Sequence, residues 1–393
     1  MKNSSDQDKK QQKKESRNET ADAKCFLCRI LPLLDGGRNT NNAFNANLRT
    51  ARSANSAAFR STAGGGMSSA TICSRSGVYD KMTRRDFLTS GGMVAGGLVA
   101  TAVLPTGCVS PWSAAKRSVR FGVVTDTHYS TRAKWSDRHY GDSLAKMRQA
   151  VDAFNAGGLD FAIELGDLKD MGVKPDRTET LGFLDAIEAE FARFSGPRYH
   201  VLGNHDMDCI SKEDFLAHTE NYGAAKDKRH YSFVVGGVKF VVLDACFNKD
   251  MTPYRCGNFD WTKAFIPEEE LAWFDEELKA ETTPVVVFSH QLLDGFSARK
   301  GLRGVFVGNW KQAVGIMERH GNVIASIQGH HHRGHCSFRN GIHYWTMKAM
   351  ISGVHPPHNS YAVVEISPDG DIAVKGFGDC ESRVLQRGRE CKG

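Results

Sequence analysis

Beyond residue 118 the chain alternates short apolar runs with stretches of helical period, and the apolar runs stop at polar residues. Residues 119–124 are apolar apart from Arg120 and end at Thr125-Asp126. Leu144, Met147, Val151 and Phe154 recur at near-helical spacing, which predicts a helix that Asp142 or Ser143 can cap. Phe161-Ala162-Ile163 with Leu165 predicts a second buried strand, ending at Gly166-Asp167. Leu181, Leu184, Ile187 and Phe191 mark a second helix, and residues 199–202 a strand ending at Gly203-Asn204-His205-Asp206. Residues 239–243 predict another strand. Pro267 then opens a helix with Glu268, Glu269 and Glu270 in its first turn, where acidic groups favour the helix dipole. Residues 284–288 run to Ser289-His290, and residues 323–327 run to Gly329-His330-His331-His332. Residues 335–375 read as several short strands without helices. This alternation of strand and helix predicts an α/β domain over residues 119–386, with a short tail at 387–393.

Residues 1–81 show no such pattern. They are rich in Lys, Gln, Asn and Ser, contain Gly64-Gly65-Gly66, and hold one short apolar patch around Phe26 to Leu34. Too little apolar surface is present to offset the entropy of ordering, so this stretch reads as a disordered leader. Cys25 and Cys28 form one CxxC without a second pair at zinc-site spacing. Met82-Thr83-Arg84-Arg85-Asp86-Phe87-Leu88 then matches the twin-arginine export pattern, followed by an uncharged run over residues 91–104. That run is short for a bilayer span and rich in Gly, which marks the apolar region of an export signal. Residues 82–108 are therefore expected to be a signal peptide and 109–118 a linker, with translation starting at Met82. Cys108 resembles a lipoprotein acceptor, with Pro105 where such sites usually carry Leu. Two outcomes stay open: lipidation of Cys108 and membrane anchoring, or cleavage nearby and release of a soluble periplasmic protein. The twin-arginine translocase is the partner expected during export, and the compartment is that of a bacterium outside its cytoplasm.

Composition changes this picture little, but charge placement does. Hydrophobic residues make up 40% and charged residues 24%, which permits a sizeable core. The formal charge is +6, yet residues 1–81 alone carry 14 Lys and Arg against 7 Asp and Glu, leaving the rest one charge negative. No electrostatic footprint for nucleic acid is expected on the folded part. Beyond the signal, Cys209, Cys246, Cys256, Cys336, Cys380 and Cys391 remain, either paired or free, with fifteen connectivities if all pair.

Candidate chemistry sits at the strand ends. Strand after strand is apolar and ends in Asp, His or Asn, and in open α/β sheets ligands bind off the carboxyl ends of strands. Carboxylate, imidazole and amide oxygen are the groups that hold hard or borderline divalent metals. Asp126 and His128 are two apart, as are His330 and His332, and in extended backbone such pairs face one side. Asn204 and His205 are adjacent, so in extended backbone one can face metal while the other faces substrate. Gly166, Gly203 and Gly329 let the chain turn sharply beside the metals.

Asp126-Thr127-His128, Gly166-Asp167-Leu168-Lys169-Asp170, Gly203-Asn204-His205-Asp206, His290 and Gly329-His330-His331-His332, in this order, resemble the calcineurin-like metallophosphoesterase superfamily. The resemblance implies a four-layer α/β/β/α sandwich of two mixed sheets. It implies two divalent metal ions: Asp126, His128 and His332 on the first, Asn204, His290 and His330 on the second, and Asp167 bridging both. His205 would stand beside the scissile phosphate, with Asp206 orienting it. Mixed N/O ligation fits Mn, Fe or Zn, and the resemblance favours Mn. The chemistry implied is attack on phosphorus by a hydroxide that both metals activate, with His205 giving a proton to the leaving oxygen. The pattern gives no ligand role to His200, His320, His331, His335 or His343.

A narrower resemblance runs across most of residues 119–386. Arg138-His139-Tyr140-Gly141-Asp142-Ser143-Leu144, Leu243-Asp244-Ala245, the acidic helix with Leu271 and Trp273, Asn309-Trp310-Lys311-Gln312-Ala313 and the closing stretch 375–385 look like the manganese-dependent ADP-ribose/CDP-alcohol diphosphatase branch. That implies small phosphorylated, nucleotide-linked substrates. Tyr140, Phe247, Tyr254, Phe259, Trp261 and Trp310 are candidates for stacking a base, and Tyr140, Asn309 and Trp310 for substrate binding. The aperiodic segment 246–265 is the expected substrate loop. Two alternatives stay open: a broad-specificity phosphomonoesterase or phosphodiesterase, and a non-catalytic phosphate-binding lipoprotein.

Overall fold

In the computed structural model, which describes residues 115–298 and 304–390, the apolar runs become the strands of two sheets. The leader, the twin-arginine stretch, Cys108 and Cys391 lie outside the described residues. The first sheet contains β1 (Val119–Val124), β2 (Phe161–Glu164), β3 (Arg198–His200), β10 (Ser360–Ile366), β11 (Ile372–Gly378) and β12 (Arg383–Leu385), in the order β12-β11-β10-β1-β2-β3. The second contains β4 (Tyr231–Val235), β5 (Val238–Val242), β6 (Val285–Ser289), β7 (Val323–Gln328), β8 (Arg333–Arg339) and β9 (Ile342–Lys348), in the order β4-β5-β6-β7-β9-β8. β1, β2 and β3 are mutually parallel, as are β5, β6, β7 and β9, while the outer strands pair antiparallel. Parallel neighbours deliver their carboxyl ends to the same edge, which groups the polar residues that terminate them.

The inner faces of the sheets meet in an aromatic layer. Phe121 stacks on Phe161 at 4.7 Å and meets Phe240 and Phe288 of the other sheet edge-on, at 5.6 and 5.9 Å. Tyr199 stacks on Phe233 of the second sheet at 3.7 Å. Each fully buried Phe contributes roughly 1.5–3 kcal/mol of transfer free energy. Helix α1 (Ser143–Gly157) lays Met147, Val151 and Phe154 on the outside of the first sheet, where α2 (Arg177–Phe191) and the short α3 (Lys212–His218) adjoin it. Helices α4 (Glu268–Lys279) and α5 (Trp310–His320) cover the second sheet, with Leu271, Phe274, Val314 and Met317 packed on Val241, Val285 and Val287. The result is the expected α/β/β/α sandwich of two mixed sheets. Among the described residues no helix is long and apolar enough to cross a membrane.

Three local outcomes differ from the expectation. Asp142 precedes α1 but makes no side-chain cap: its carboxylate accepts from the His355 amide at 2.9 Å, and the Ser143 hydroxyl donates to the Thr127 carbonyl at 2.5 Å. Both residues tie the helix start to neighbouring loops instead. β4 and helix α3 were not foreseen, although Ser211 and Asp214 form a reciprocal capping box at the start of α3. Helix α5 was not foreseen either, although Ala313, Val314 and Met317 are spaced for one face and Gly321 ends it at φ 69°.

Candidate metal centre

The loop after β1 does not continue the strand. Asp126 and His128 sit in the left-handed region, at φ 52° and 48°, as do Asp167 at 58° and His330 at 66°. Residues with a Cβ disfavour this region by about 1–2 kcal/mol each, and such outliers gather at functional sites. The expectation that Asp126 and His128 share a side because the backbone is extended is therefore corrected. Their convergence comes from backbone pairing between two loops. The Asp126 amide donates to the Gly166 carbonyl at 3.0 Å, and the His128 amide to the Asp167 carbonyl at 2.9 Å. Gly166 supports this pairing at φ 97°. From the other side, the Met350 and Ile351 amides donate to the carbonyls of Thr125 and Asp126, both at 3.0 Å. The buried Lys146 ammonium anchors that brace through the carbonyls of Met350, Ser352 and Gly353.

Asp206 has a structural task. Its carboxylate accepts from the amides of Gly203 at 2.8 Å and of Asp167 and Leu168 at 2.9 Å, clamping the loops after β2 and β3 together. They approach so closely that a Cβ on Gly203 would collide with the Asp167 backbone nitrogen and carboxylate. The carboxylate on the His205 ring is Asp170, 2.9 Å from Nδ1, so the expected orienting role of Asp206 passes to Asp170. Asp170 also receives His128 Nδ1 at 2.8 Å. Sequence reasoning gave Asp170 no role, although it stands in the Gly166–Asp170 motif.

Among the described residues four groups of donor atoms converge; two gather His205 with His128 and Asp167 or with Asp170 and Asp208, and the other two hold the expected ligands. In the first, His128 Nε2 and His332 Nε2 lie 3.1 Å apart, with Asp126 Oδ1 3.7 and 3.4 Å from them. In the second, His290 Nε2 lies 3.1 Å from Asp167 Oδ2 and 3.3 Å from His330 Nδ1. Asp167 Oδ2 is also 3.6 Å from His128 Nε2, so one carboxylate oxygen stands between the groups. Asn204 is fully buried, with Nδ2 unpartnered and Oδ1 3.5 Å from Gln291 Nε2. His200, His320, His335 and His343 are engaged elsewhere, by Glu188, Asp275, Ser297 and the Gln386 carbonyl.

These donors fit divalent ions. Asp126 Oδ1 is buried and has no hydrogen-bond partner, a costly state for a carboxylate oxygen unless a cation meets it. His128 and His290 direct one ring nitrogen to Asp170 and to the Leu165 carbonyl, which orients the other toward the cluster. Burial resists ionisation of Asp126, but the imidazoles of His128 and His332 beside Oδ1 hold its carboxyl well below the usual range. Burial likewise resists ionisation of Asp167, and the His290 and His205 charges overcome it. Burial, then the His290 charge, pushes His330 down to about 3; burial and Arg138 push His332 down to about 4. Both imidazoles are therefore neutral, as metal ligands must be. His290 is opposed by burial yet raised to about 9 by Asp167, so a cation arriving there displaces a proton.

The His205 ring, 21% exposed, is the half-open wall of the site. Burial works against its charge, but Asp170 and Asp167 raise it well above the ordinary histidine value. The Phe259 ring lies 5.7 Å from it, and the Trp261 ring lies 6.2 Å from His330, so the segment 246–265 does reach the centre. The other proposed substrate residues are taken up by the fold. Asn309 uses both amide ends on the backbone of Ile266, at 3.0 and 2.8 Å. Trp310 packs on Phe296 at 6.1 Å and against Gly295. Tyr140 is buried with Ala349 and Ile351, under the Arg132 guanidinium at 5.4 Å.

Comparison with known proteins agrees with this geometry. The family model described as calcineurin-like phosphoesterase matches residues 119–334, more than half of the chain. A manganese-dependent ADP-ribose/CDP-alcohol diphosphatase of Oryza sativa subsp. japonica is 24% identical over 290 residues, covering 63% of this chain and 88% of the relative. The Arabidopsis thaliana protein of the same description is 23% identical over 302 residues, covering 67% and 95%. The crystal structure of a dimetal phosphatase from Danio rerio shares the fold with a TM-score of 0.58 at 20% identity, covering 69% of this chain and 99% of that one.

Proposed function

The chain belongs to the calcineurin-like phosphoesterase family of metal-dependent hydrolases, and from that premise we propose that it cleaves phosphoanhydride bonds in small nucleotide-linked diphosphates. The single observation that carries the dinuclear part of this reading is Asp167 Oδ2, 3.1 Å from His290 of one donor group and 3.6 Å from His128 of the other. Asp126, His128 and His332 would hold one ion; Asn204, His290 and His330 would hold the second; and Asp167 would serve both. When bound, such ions polarise phosphoryl oxygens and bring the pKa of coordinated water toward neutrality.

The remaining tasks fall to this chain's own side chains. Asp170 fixes the His205 ring through Nδ1, leaving Nε2 to face the substrate. Held protonated by Asp170 and Asp167, His205 is suited to give its proton to the leaving oxygen as the bond to phosphorus breaks. Asp206 keeps the loops bearing Asp167 and His205 in register. Phe259 and Trp261 offer aromatic faces beside the centre on which a base can stack. Support for a nucleotide-linked substrate is this aromatic pair together with the distant diphosphatase relatives, and support for manganese is those relatives.

Export belongs to the same proposal. It rests on Arg84-Arg85 and the uncharged run 91–104, outside the described residues. Replacing both arginines with lysine should leave the protein in the cytoplasm; normal export of that variant would sink the twin-arginine reading. The substrate is tested by assaying ADP-ribose, CDP-choline, a nitrophenyl monoester and a bis-nitrophenyl diester with added Mn²⁺. The proposal expects the two diphosphates to give the highest kcat/KM. A preference for either nitrophenyl ester would replace it with a broad-specificity esterase.

A further inference from the structure

One cation beside the centre keeps its hydrogen-bond donors unspent. Among the described residues the Arg132 guanidinium makes no hydrogen bond; its ion-pair partner, Asp170 Oδ2, lies 3.7 Å away. Its platform is the buried Tyr140 ring, whose centre lies 5.4 Å from the guanidinium carbon. Tyr129 fixes the start of this stretch on the loop after β2: its amide donates to the Leu168 carbonyl at 3.2 Å, and the Asp170 amide donates to its carbonyl at 3.1 Å. The Arg132 side chain is 38% exposed, so a ligand can reach it. Other cations of the molecule are committed. Arg117, Arg148 and Arg177 each give two N–H groups to one carboxylate. Lys169, beside His205, gives its ammonium to the His205 carbonyl at 2.6 Å and to Asp208 at 2.5 Å. Arg132 and His205 also flank one carboxylate, since Asp170 Oδ1 lies 2.9 Å from His205 Nδ1.

We propose that Arg132 sets specificity by binding the non-scissile phosphate of a diphosphate substrate, an inference that rests on the phosphoanhydride reading above and deepens it. His205 is placed to give its proton to the leaving oxygen, and in a diphosphate that oxygen belongs to the second phosphate. The second phosphate therefore lies beside His205, where the unspent guanidinium stands. A planar fork of N–H groups matches two phosphate oxygens at once. In a carbon ester the leaving oxygen carries carbon instead, which offers the fork no acceptor. Asp170, at 3.7 Å, holds the guanidinium near by charge without consuming its donors, and Tyr140 holds it by its ring face. Tyr140 thus acts on substrate through Arg132 and not by contact of its own.

The test is calorimetric binding of AMP and of its carbon-bridged diphosphate analogue, adenosine 5′-(α,β-methylene)diphosphate, to the folded full chain at one saturating Mn²⁺ concentration. The parent chain should bind the diphosphate analogue more tightly than AMP. Arg132→Ala should weaken the analogue by about 10–100-fold and AMP by no more than about threefold, on the scale of lost hydrogen bonds to a charged group. Arg132→Lys keeps the charge without the fork and should fall between the two. Three outcomes would overturn the proposal: a parent chain that binds both ligands equally, an Arg132→Ala chain that binds the analogue as the parent does, or one that loses both ligands in equal measure, which would make Arg132 a support for Asp170. A parent chain that prefers nitrophenyl esters in the substrate panel would instead overturn the phosphoanhydride reading, and the calorimetry would still decide the role of Arg132.

Discussion

Two buried polar clusters in this molecule are built from similar residues and balanced in different ways. Around Asp244, off the end of β5, Lys212 Nζ lies 2.5 Å from the carboxylate and Arg229 Nε at 3.5 Å, while the Asp244 amide donates to Glu270 Oε1 at 2.7 Å and His230 lies 3.1 Å from Glu270. This cluster brings its own cations. Around Asp126 and Asp167, the ion-pair partners among the described residues are imidazoles, and Asp126 Oδ1 has no hydrogen-bond partner. The first arrangement is balanced by its own Lys and Arg, although Glu270 Oε2 in it also lacks a hydrogen-bond partner. The second is a set of converging donors that calls for external positive charge, and its backbone is held in left-handed turns at four of the residues concerned. Burial of charged groups alone does not mark a functional site; here what sets the second cluster apart is that Asp126 and Asp167 face imidazoles and no Lys or Arg among the described residues.

The strongest way to break this contrast is Asp167→Asn. Because one oxygen faces both donor groups, its loss should reduce bound metal far below two ions per chain and turnover by more than any other single change here. Metal analysis of the purified variant checks this, and retention of about two ions would remove the bridging role. Next is His205→Ala, which should keep both ions yet lower turnover by about 10²–10⁴-fold. The loss should be greatest for substrates with poor leaving groups and smaller for nitrophenyl esters. Equal slowing of both would leave His205 as an electrostatic group and not a proton donor.

Asp170→Asn sharpens the comparison from behind the ligands. Asp170 receives His128 and His205 together, so its change should weaken metal binding by about 10–100-fold and also flatten the leaving-group dependence supplied by His205. A variant with one effect and not the other would separate the two hydrogen bonds. The smallest effect on metal and turnover is expected in the Asp244 cluster. Lys212→Met removes the nearer counter-ion of Asp244, leaving Arg229 at 3.5 Å, and should cost stability, at most about 3–5 kcal/mol, seen in denaturant unfolding. The Mn²⁺-induced rise in melting temperature should stay as in the parent chain, since saturation at 100 times Kd stabilises by about 2.7 kcal/mol whatever the state of an ion pair outside the donor groups. Loss of that rise would show that the clusters are not independent.

The sequence made the sandwich and its polar rim legible for a simple reason. Buried parallel strands are unbroken apolar runs, so Val124, Glu164 and Ser289 stand out as the places where chemistry begins. The six Asp and His donors were visible as strand-end residues before any geometry. What extended-chain reasoning could not supply was how they converge, because Asp126 and His128 adopt left-handed turns that no spacing rule encodes. Asp170 was hidden for the same reason: it meets His205 only after the turn at Asp167. In the aperiodic segment 246–265, composition pointed to substrate contact but could not rank its rings. Phe259 and Trp261 reach the centre, whereas the Tyr254 ring is buried and its hydroxyl donates to the Asp260 carbonyl. Trp310 looked equally available, yet it seats against Gly295 in the packing of α5.

The central claim is that two ions share the Asp167 carboxylate, and the electron paramagnetic resonance of Mn²⁺ titrated into metal-free protein tests it most directly. The account predicts that the first ion gives the six-line pattern of an isolated Mn²⁺ and that the second converts it to the multiline spectrum of a coupled pair, with Asp167→Asn abolishing the conversion. Two equivalents that bind and keep the isolated six-line spectrum would contradict it.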